Sequence, residues 1–429
     1  MNSEFPLGFI EQLAPLLGSE LPSFVESYRE EACRGLRMRE GFPKPPDAQE
    51  MVPWAQNAYR VPFESTDGAQ IAHEAGAYYM QEPSAMAAAA ALCPEPGDRV
   101  LDLCAAPGGK STQLAAYLKG QGTLVCNEPH PARVQILSRN VERMGIANAV
   151  VVSALPEKLC GPWKGFFDRV LVDAPCSGEG MFRRHPESRS EWDMTSPHHC
   201  AQRQTQILGC AADMLRPGGT MVYSTCTFNE QENEGVIRRF LREHTDFELV
   251  PFALDGIGAC DGMLRIWPHR VRGEGHFVCK MRRLGDAPLP QGEKLPPADK
   301  AESAAVLDFA KNVGMEAPAA ICRFGSQLVC PPRDVPPVKG VKVLRMGLHL
   351  GQMKGKVFAP DHAWALAVKG QRLVPVDENA ALAYLHGETL PCGDTLRGWV
   401  IPAYEGMQLG WGKASDGQIK NHYPKGLRK

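Results

Sequence analysis

Between residues 97 and 283, short apolar runs alternate with segments of helix length, and this alternation constrains the fold more than any other feature of the chain. The runs are RVLDLC, TLVCNE, AVVVSA, DRVLVDA and TMVYSTC, each ending in small or polar residues. Between them stand STQLAAYLKG, PARVQILSRNVERMG and AQRQTQILGCAADMLRPGG. Strands buried on both faces read as near-continuous apolar runs, and strands separated by helices of this length form a parallel sheet. An α/β domain over 93–283 follows. MLRIWP and GHFVCKMR, split only by a turn-rich piece, predict an antiparallel addition at the sheet edge.

The flanks read differently. Residues 1–92 combine a helical pattern, FVESYREEACRGLRMR, with the Pro-rich GFPKPPDAQEMVP, which suits a small α+β domain. LGDAPLPQGEKLPPAD opens a linker over 284–300, because its Pro and Gly content defeats regular structure. Beyond it, 301–429 holds one helix, AAVLDFAKNVG, and then mostly short strands and turns.

Several function classes are disfavoured at once. The longest apolar run, MAAAAALC, falls far short of the ~20 residues a membrane span needs. MNSEFPLGFIEQLAPLL lacks the basic segment and apolar core of a secretory leader. The fourteen cysteines include no CxxC pair, so neither a zinc site nor a disulfide framework is expected, and free thiols suit a cytoplasmic location. The cluster His198-His199-Cys200 reads as a helix start, and no metal is expected. A net charge of −2 conceals three basic stretches, at 264–283, 333–372 and 413–429. The last carries Lys413, Lys420, Lys425, Arg428 and Lys429 against Asp416. Such stretches are commonly solvated faces, but three in one half of the chain favour a polyanionic partner.

The stretch CAAPGGKST ends like a phosphate-gripping loop. That loop requires G-x-x-x-x-G-K-[ST], and the position five before Gly109 is Cys104. The triphosphate signature is therefore broken. What remains is a strand running into Cys104, Ala105, Ala106, Pro107, Gly108, Gly109 and Lys110, whose small residues let a ligand approach the backbone. The second strand ends in Glu128, a carboxylate placed to accept both hydroxyls of a ribose. This is a nucleoside-binding arrangement.

Two further strands end in cysteine motifs, VLVDAPCSGEG with Cys176 and TMVYSTCTFNEQENEG with Cys226. A lone cysteine is usually a small buried hydrophobe. Two at the ligand edge of one sheet suggest chemistry. A thiolate adding to C6 of a cytosine makes C5 nucleophilic toward a sulfonium methyl donor, and loss of the C5 proton then releases the thiol. Asp173 would hydrogen-bond the N3/N4 edge of the base. These residues alone leave open which thiol attacks.

CAAPGGKST, DAPCSGEGMF and YSTCTFNEQENE together resemble the signature set of the Nop/Sun family of RNA 5-methylcytosine methyltransferases. YYMQEPSAM is similar to the segment that leads into the family's sheet domain, and GWGKASDGQIKNHYPKGLR resembles the ending of its bacterial RsmF-like branch, with a PUA-like module. The resemblance implies a Rossmann-like, seven-stranded domain that uses S-adenosyl-L-methionine, with Cys226 as nucleophile and Cys176 as the thiol that assists release. It implies cofactor binding by Cys104 to Lys110, Glu128 and Asp173. Arg133 is a further cofactor candidate, or else a helix-surface charge; Lys110 orients Asp173 or the substrate, or caps a helix. The implied partner is 16S ribosomal RNA, bare or within the assembling small subunit, and the protein is expected to be a monomer.

One departure stands out. Ser153 and Ala154 occupy the place where the family often has an acidic or amide residue facing the adenine, so a backbone contact near Ala154 or Leu155 is expected instead. Around the site, Arg183, Arg184 and Arg189 are expected to meet RNA, with Phe182 and Trp192 either stacking on bases or packed in a surface loop. Competing readings are a tRNA methyltransferase of the same family, a non-catalytic RNA-binding assembly factor, and a nucleotide hydrolase, which Cys104 opposes.

Overall fold

The computed structural model describes residues 5–65, 68, 70–288 and 290–428. Lys429 of the basic tail, Leu289 of the linker and the first residues of the N-terminal domain lie outside the described residues. Five parallel strands form the centre: β1 Arg99–Asp102, β2 Thr123–Asn127, β3 Ala149–Ser153, β4 Phe167–Asp173 and β5 Leu215–Thr225. Four more strands complete a nine-stranded sheet among the described residues: β6 Phe247–Leu249, β7 Met263–Ile266, β8 His276–Arg283 and β9 Lys342–Met346. The order is β7-β8-β5-β4-β1-β2-β3-β9, with β6 also on β8. The strands β7, β8, β5, β4, β1, β2 and β3 are the seven expected of a Rossmann-like methyltransferase sheet. β7 and β8 are antiparallel, as their sequence suggests.

The helices α1 Gly109–Leu118, α2 Pro131–Arg143, α3 Ser196–Met214 and α4 Glu234–Glu243 lie in the segments between strands. The sheet is apolar throughout its centre: β1 is buried along its whole length, and Val150, Val152, Val170, Val172 and Tyr223 join one continuous core. Strand order reverses at β1, where neighbours β2 and β4 leave in opposite directions, and ligands bind in the crevice beyond such a point.

β9 comes from the chain beyond the expected linker. It pairs antiparallel with β3, Lys342 opposite Ser153 and Met346 opposite Val150, and brings Met346 into the main core together with Val329 and Val335. The segment before it is docked, not free: the Arg99 guanidinium donates to the Pro290 carbonyl at 2.6 Å and pairs with Asp334 at 2.8 Å. Helix Lys300–Val313 starts on a reciprocal cap between Asp299 and Glu302. A four-stranded and a six-stranded sheet follow, around the buried Phe309, Trp364 and Trp411.

Part of the N-terminal reading needs correction. The pattern FVESYREEACRGLRMR is a helix only to Ser27, and Arg34–Met38 is a strand between Ala58–Val61 and Tyr78–Met80. Gly35 explains it: a Cβ there would meet the carbonyls of Gln81 and Tyr59 at 2.9 and 3.0 Å, so only glycine lets the three strands close.

Of the two readings of the aromatic residues beyond Cys176, the structure shows the packed one. Phe182 and Trp192 are buried among Phe9, Phe24, Phe228 and Trp267. They seat the helices Phe9–Leu17 and Leu21–Ser27 over the loops after β4 and β5, and each buried ring contributes roughly 1.5–3 kcal/mol. Both rings are taken up inside the protein. Arg183 is equally internal, paired with Glu274 at 2.9 Å and donating to the Ser27 carbonyl at 2.7 Å. Arg189 donates to the Phe182 carbonyl and lies over the Phe5 ring.

Candidate active site

The loop from Cys104 to Gly109 leaves the end of β1 and turns into α1 through Gly108, whose φ of 114° only glycine adopts readily. Three side chains brace its carbonyls. Asn127 donates to Leu103 at 3.1 Å, Arg133 to Ala106 at 2.8 Å and Asn140 to Pro107 at 2.9 Å. Beneath it Asp102 is fully buried and accepts from Ser111 at 2.6 Å; burial pushes its carboxyl up to about 7. Burial likewise raises the Cys104 thiol well above its ordinary value, so this sulfur stays protonated.

Glu128 directly follows β2, almost wholly buried, its carboxylate accepting from the His130 amide at 2.9 Å and facing Arg133 at 3.4 Å. Arg133 thus ties the loop to Glu128, although its side chain is 54% exposed. At the departure after β3, Ser153 Oγ donates to the Pro129 carbonyl at 3.4 Å, and the Ala154 amide is taken by Asn127 Oδ1 at 3.1 Å. The amide of Ala154 is therefore engaged within the protein. Leu155, beside it, exposes 54% of its surface, an apolar wall at the same edge.

Across the switch point, the loops after β4 and β5 bring Cys176 Sγ within 3.4 Å of Cys226 Sγ. This is far outside the ~2.05 Å of a disulfide, and none of the fourteen cysteines is oxidised to one. The hydrogen bond to Cys226 and burial raise the Cys176 thiol well above its ordinary value, so Cys176 keeps its proton.

Two buried carboxylates hold the loops together. Glu232 accepts from the Ser177 amide at 2.9 Å, from Ser177 Oγ, from Asn229 at 2.7 Å and from Gln204 at 2.8 Å. Glu179 accepts from the Phe228 and Asn229 amides at 2.7 and 3.0 Å, and from Gln12 of the first helix at 2.7 Å. The Gly180 amide closes on the Cys226 carbonyl at 2.8 Å.

Asp173, at the end of β4, joins the two halves of the site. Lys110 meets its Oδ2 at 2.7 Å, Ser224 Oγ donates to Oδ1 at 2.8 Å, and His276 Nε2 stands 3.5 Å from Oδ1. Burial alone would raise this carboxyl, but the Lys110 charge overcomes it and holds it well below the usual range. Burial would lower the Lys110 ammonium, and Asp173 reverses that. The result is a charged pair, 29% exposed on the carboxylate side, beside two thiols.

Comparison with known proteins identifies the lineage. Family models match nearly end to end: the N-terminal domain of 16S rRNA methyltransferase RsmF at 5–83, 16S rRNA methyltransferase RsmB/F at 89–282, the first C-terminal domain of RsmF at 308–368 and the RsmF PUA domain at 371–429. Ribosomal RNA small subunit methyltransferase F of Erwinia tasmaniensis is 31% identical, the match covering 99% of this chain and 96% of the relative. The chain belongs to the RsmF family. The same enzyme of Shewanella loihica is 32% identical over 88% of this chain and 83% of its own. A methyltransferase homologue from Pyrococcus horikoshii shares the fold at a TM-score of 0.53 and 26% identity, over 65% of this chain and 99% of that one.

As an RsmF-family protein the chain is an RNA methyltransferase whose cofactor is S-adenosylmethionine. Cys226, Cys176, Asp173, Lys110 and the 104–110 loop meet at one edge of the sheet, with Glu128 and Arg133 at the far side of the loop. Sequence reasoning missed Glu232, Glu179, Ser224 and His276. The two glutamates sit in the quoted motifs, but an acidic run such as NEQENE reads as solvated surface until its burial is seen. His276 follows no spacing rule at all.

Proposed function

We propose that the protein transfers a methyl group to C5 of a cytosine in 16S rRNA, with Cys226 bonded to C6 of the base during the reaction. The observation that carries this reading is the 3.4 Å approach of the two thiols beside the Asp173–Lys110 pair. Cys226 adds to C6 as the thiolate, and the electrons of the C5–C6 double bond shift to C5. S-adenosylmethionine, when bound, supplies the electrophilic methyl carbon that C5 takes. A base then removes the C5 proton, the ring double bond re-forms, and Cys226 leaves as thiolate. Cys176, protonated and in contact with Cys226, donates its S–H to the departing sulfur. Asp173, charged at neutral pH, accepts from the amino edge of the cytosine, while Lys110 fixes the carboxylate.

The residues present fit the cofactor. The buried Glu128 carboxylate suits ribose hydroxyls, and the exposed Leu155 suits a flat base. The C5 chemistry requires an unstacked target, so the base is taken from a loop or from locally opened RNA. Arg184, which makes no ion pair or side-chain hydrogen bond among the described residues, is a phosphate contact in the chain segment that follows Cys176. We further infer four units, an accessory domain at 1–92, the transferase domain at 93–283, the segment 284–300 and a C-terminal RNA-binding region at 301–429. The inferred working state is a cytoplasmic monomer, a setting the unpaired thiols suit.

Bisulfite sequencing of RNA from a deletion strain, complemented with wild type or with Cys226→Ala, tests this. The expected result is a 16S cytosine that resists conversion only with the wild-type gene. A protected cytosine lost from tRNA instead, or none lost at all, contradicts it.

A further inference from the structure

One polar side chain at the site has no place in the mechanism above. His276 opens β8, is 2% exposed, and has no hydrogen-bond partner at either ring nitrogen, although Nε2 stands only 3.5 Å from Asp173 Oδ1. A buried polar atom left without a partner is disfavoured, and where one persists it is a candidate for function. The groups that face the ring come from four elements: Lys110 on α1, Asp173 on β4, Ser224 next to Asp173 on β5, and Glu82 on the segment before the sheet. Burial and the Lys110 charge hold the imidazole neutral, against the pull of Asp173. A neutral ring carries one N–H and one lone pair.

We propose that His276 is a positioning residue that aims the Asp173 carboxylate at the target cytosine. Its Nε2–H turns onto Oδ1, the oxygen that already accepts from Ser224. With Oδ1 held from two sides, Oδ2 is left with Lys110 and one lone pair for the amino group of the base. The gap of 3.5 Å is long for a hydrogen bond, and a small rotation of the ring closes it when the base is seated. A second proton on the ring places another cation beside Lys110 and draws the carboxylate away from the base. The inference rests on Asp173 as the group that binds the cytosine edge.

The test compares His276→Phe and His276→Gln with wild type and Asp173→Asn, on 16S rRNA substrate. His276→Phe keeps a ring but no donor, and its kcat is expected to fall roughly tenfold or more, with KM for S-adenosylmethionine and the thermal midpoint unchanged. His276→Gln restores a donor and is expected to recover most of the rate. Wild-type kcat should fall on the acid side, below the ordinary histidine range, and that limb should be absent from His276→Gln. Wild-type kcat in His276→Phe overturns the proposal, and so does an unchanged acid limb in His276→Gln, which decides the matter if the Phe variant does not fold. Asp173→Asn separates the two ideas. If it is inactive while His276→Phe is normal, only the role of His276 fails; if it turns over like wild type, the reading of Asp173 fails.

Discussion

Cys176 and Cys226 lie fifty residues apart in the chain, yet their sulfurs are 3.4 Å apart. The contact depends on parallel strands β4 and β5, which place Asp173 opposite Ser224 and so deliver the two loops to one edge in register. The loops that carry the thiols are held by neighbours, chiefly Glu232.

Glu232→Ala should therefore damage more than a surface charge would. It strips the acceptor from Ser177, Gln204 and Asn229 in a fully buried setting, at about 3 kcal/mol. Urea unfolding should show that loss, and kcat should fall with it because the Cys176 loop is released. Glu232→Gln, which keeps the shape and one acceptor, should lose less of both.

Lys110→Met should change how stability responds to acid. Asp173 is held below the usual carboxylate range, so it favours folding above about pH 4, its unfolded value, and the advantage is lost as pH falls toward its folded value. Removing the ammonium brings the folded carboxyl back up. The stability gap between wild type and Lys110→Met should be widest at neutral pH and should shrink at pH values below about 4. Denaturant midpoints across that range measure it; a gap that grows in acid would contradict the electrostatic account.

Arg183 and Arg184 are neighbours with opposite expected roles. Arg183→Met leaves Glu274 buried without its partner and should lose about 3–5 kcal/mol of stability. Arg184→Ala should leave stability within about 0.5 kcal/mol and weaken RNA binding, with a shallower salt dependence. Unfolding and filter-binding titrations on both variants check the assignment.

The five central strands are legible in the sequence because each is buried on both faces, and burial leaves an unbroken apolar run. The donor loop and the two thiols are legible because strand ends at a parallel sheet's carboxyl edge are ligand positions. Arg34–Met38 is not, since Arg34 and Arg37 imitate a helix surface and its partners lie over twenty residues away. β9 is hidden for the same reason: KVLRM is short, and only its remote pairing with β3 makes it a sheet strand. Phe182 and Trp192 leave both readings open, because sequence does not say whether a ring faces RNA or the helix that carries Phe9. His276 and Glu232 acquire meaning only through contacts with Asp173 and Ser177.

The central claim is the bond between Cys226 and cytosine C6. It is tested most directly by incubating Cys176→Ala with labelled 16S rRNA and S-adenosylmethionine, then separating protein on a denaturing gel. With the releasing thiol gone, the account predicts a protein–RNA adduct that survives denaturation and disappears in the double variant Cys176→Ala/Cys226→Ala. An adduct that persists without Cys226, or normal turnover by Cys226→Ala, would contradict it.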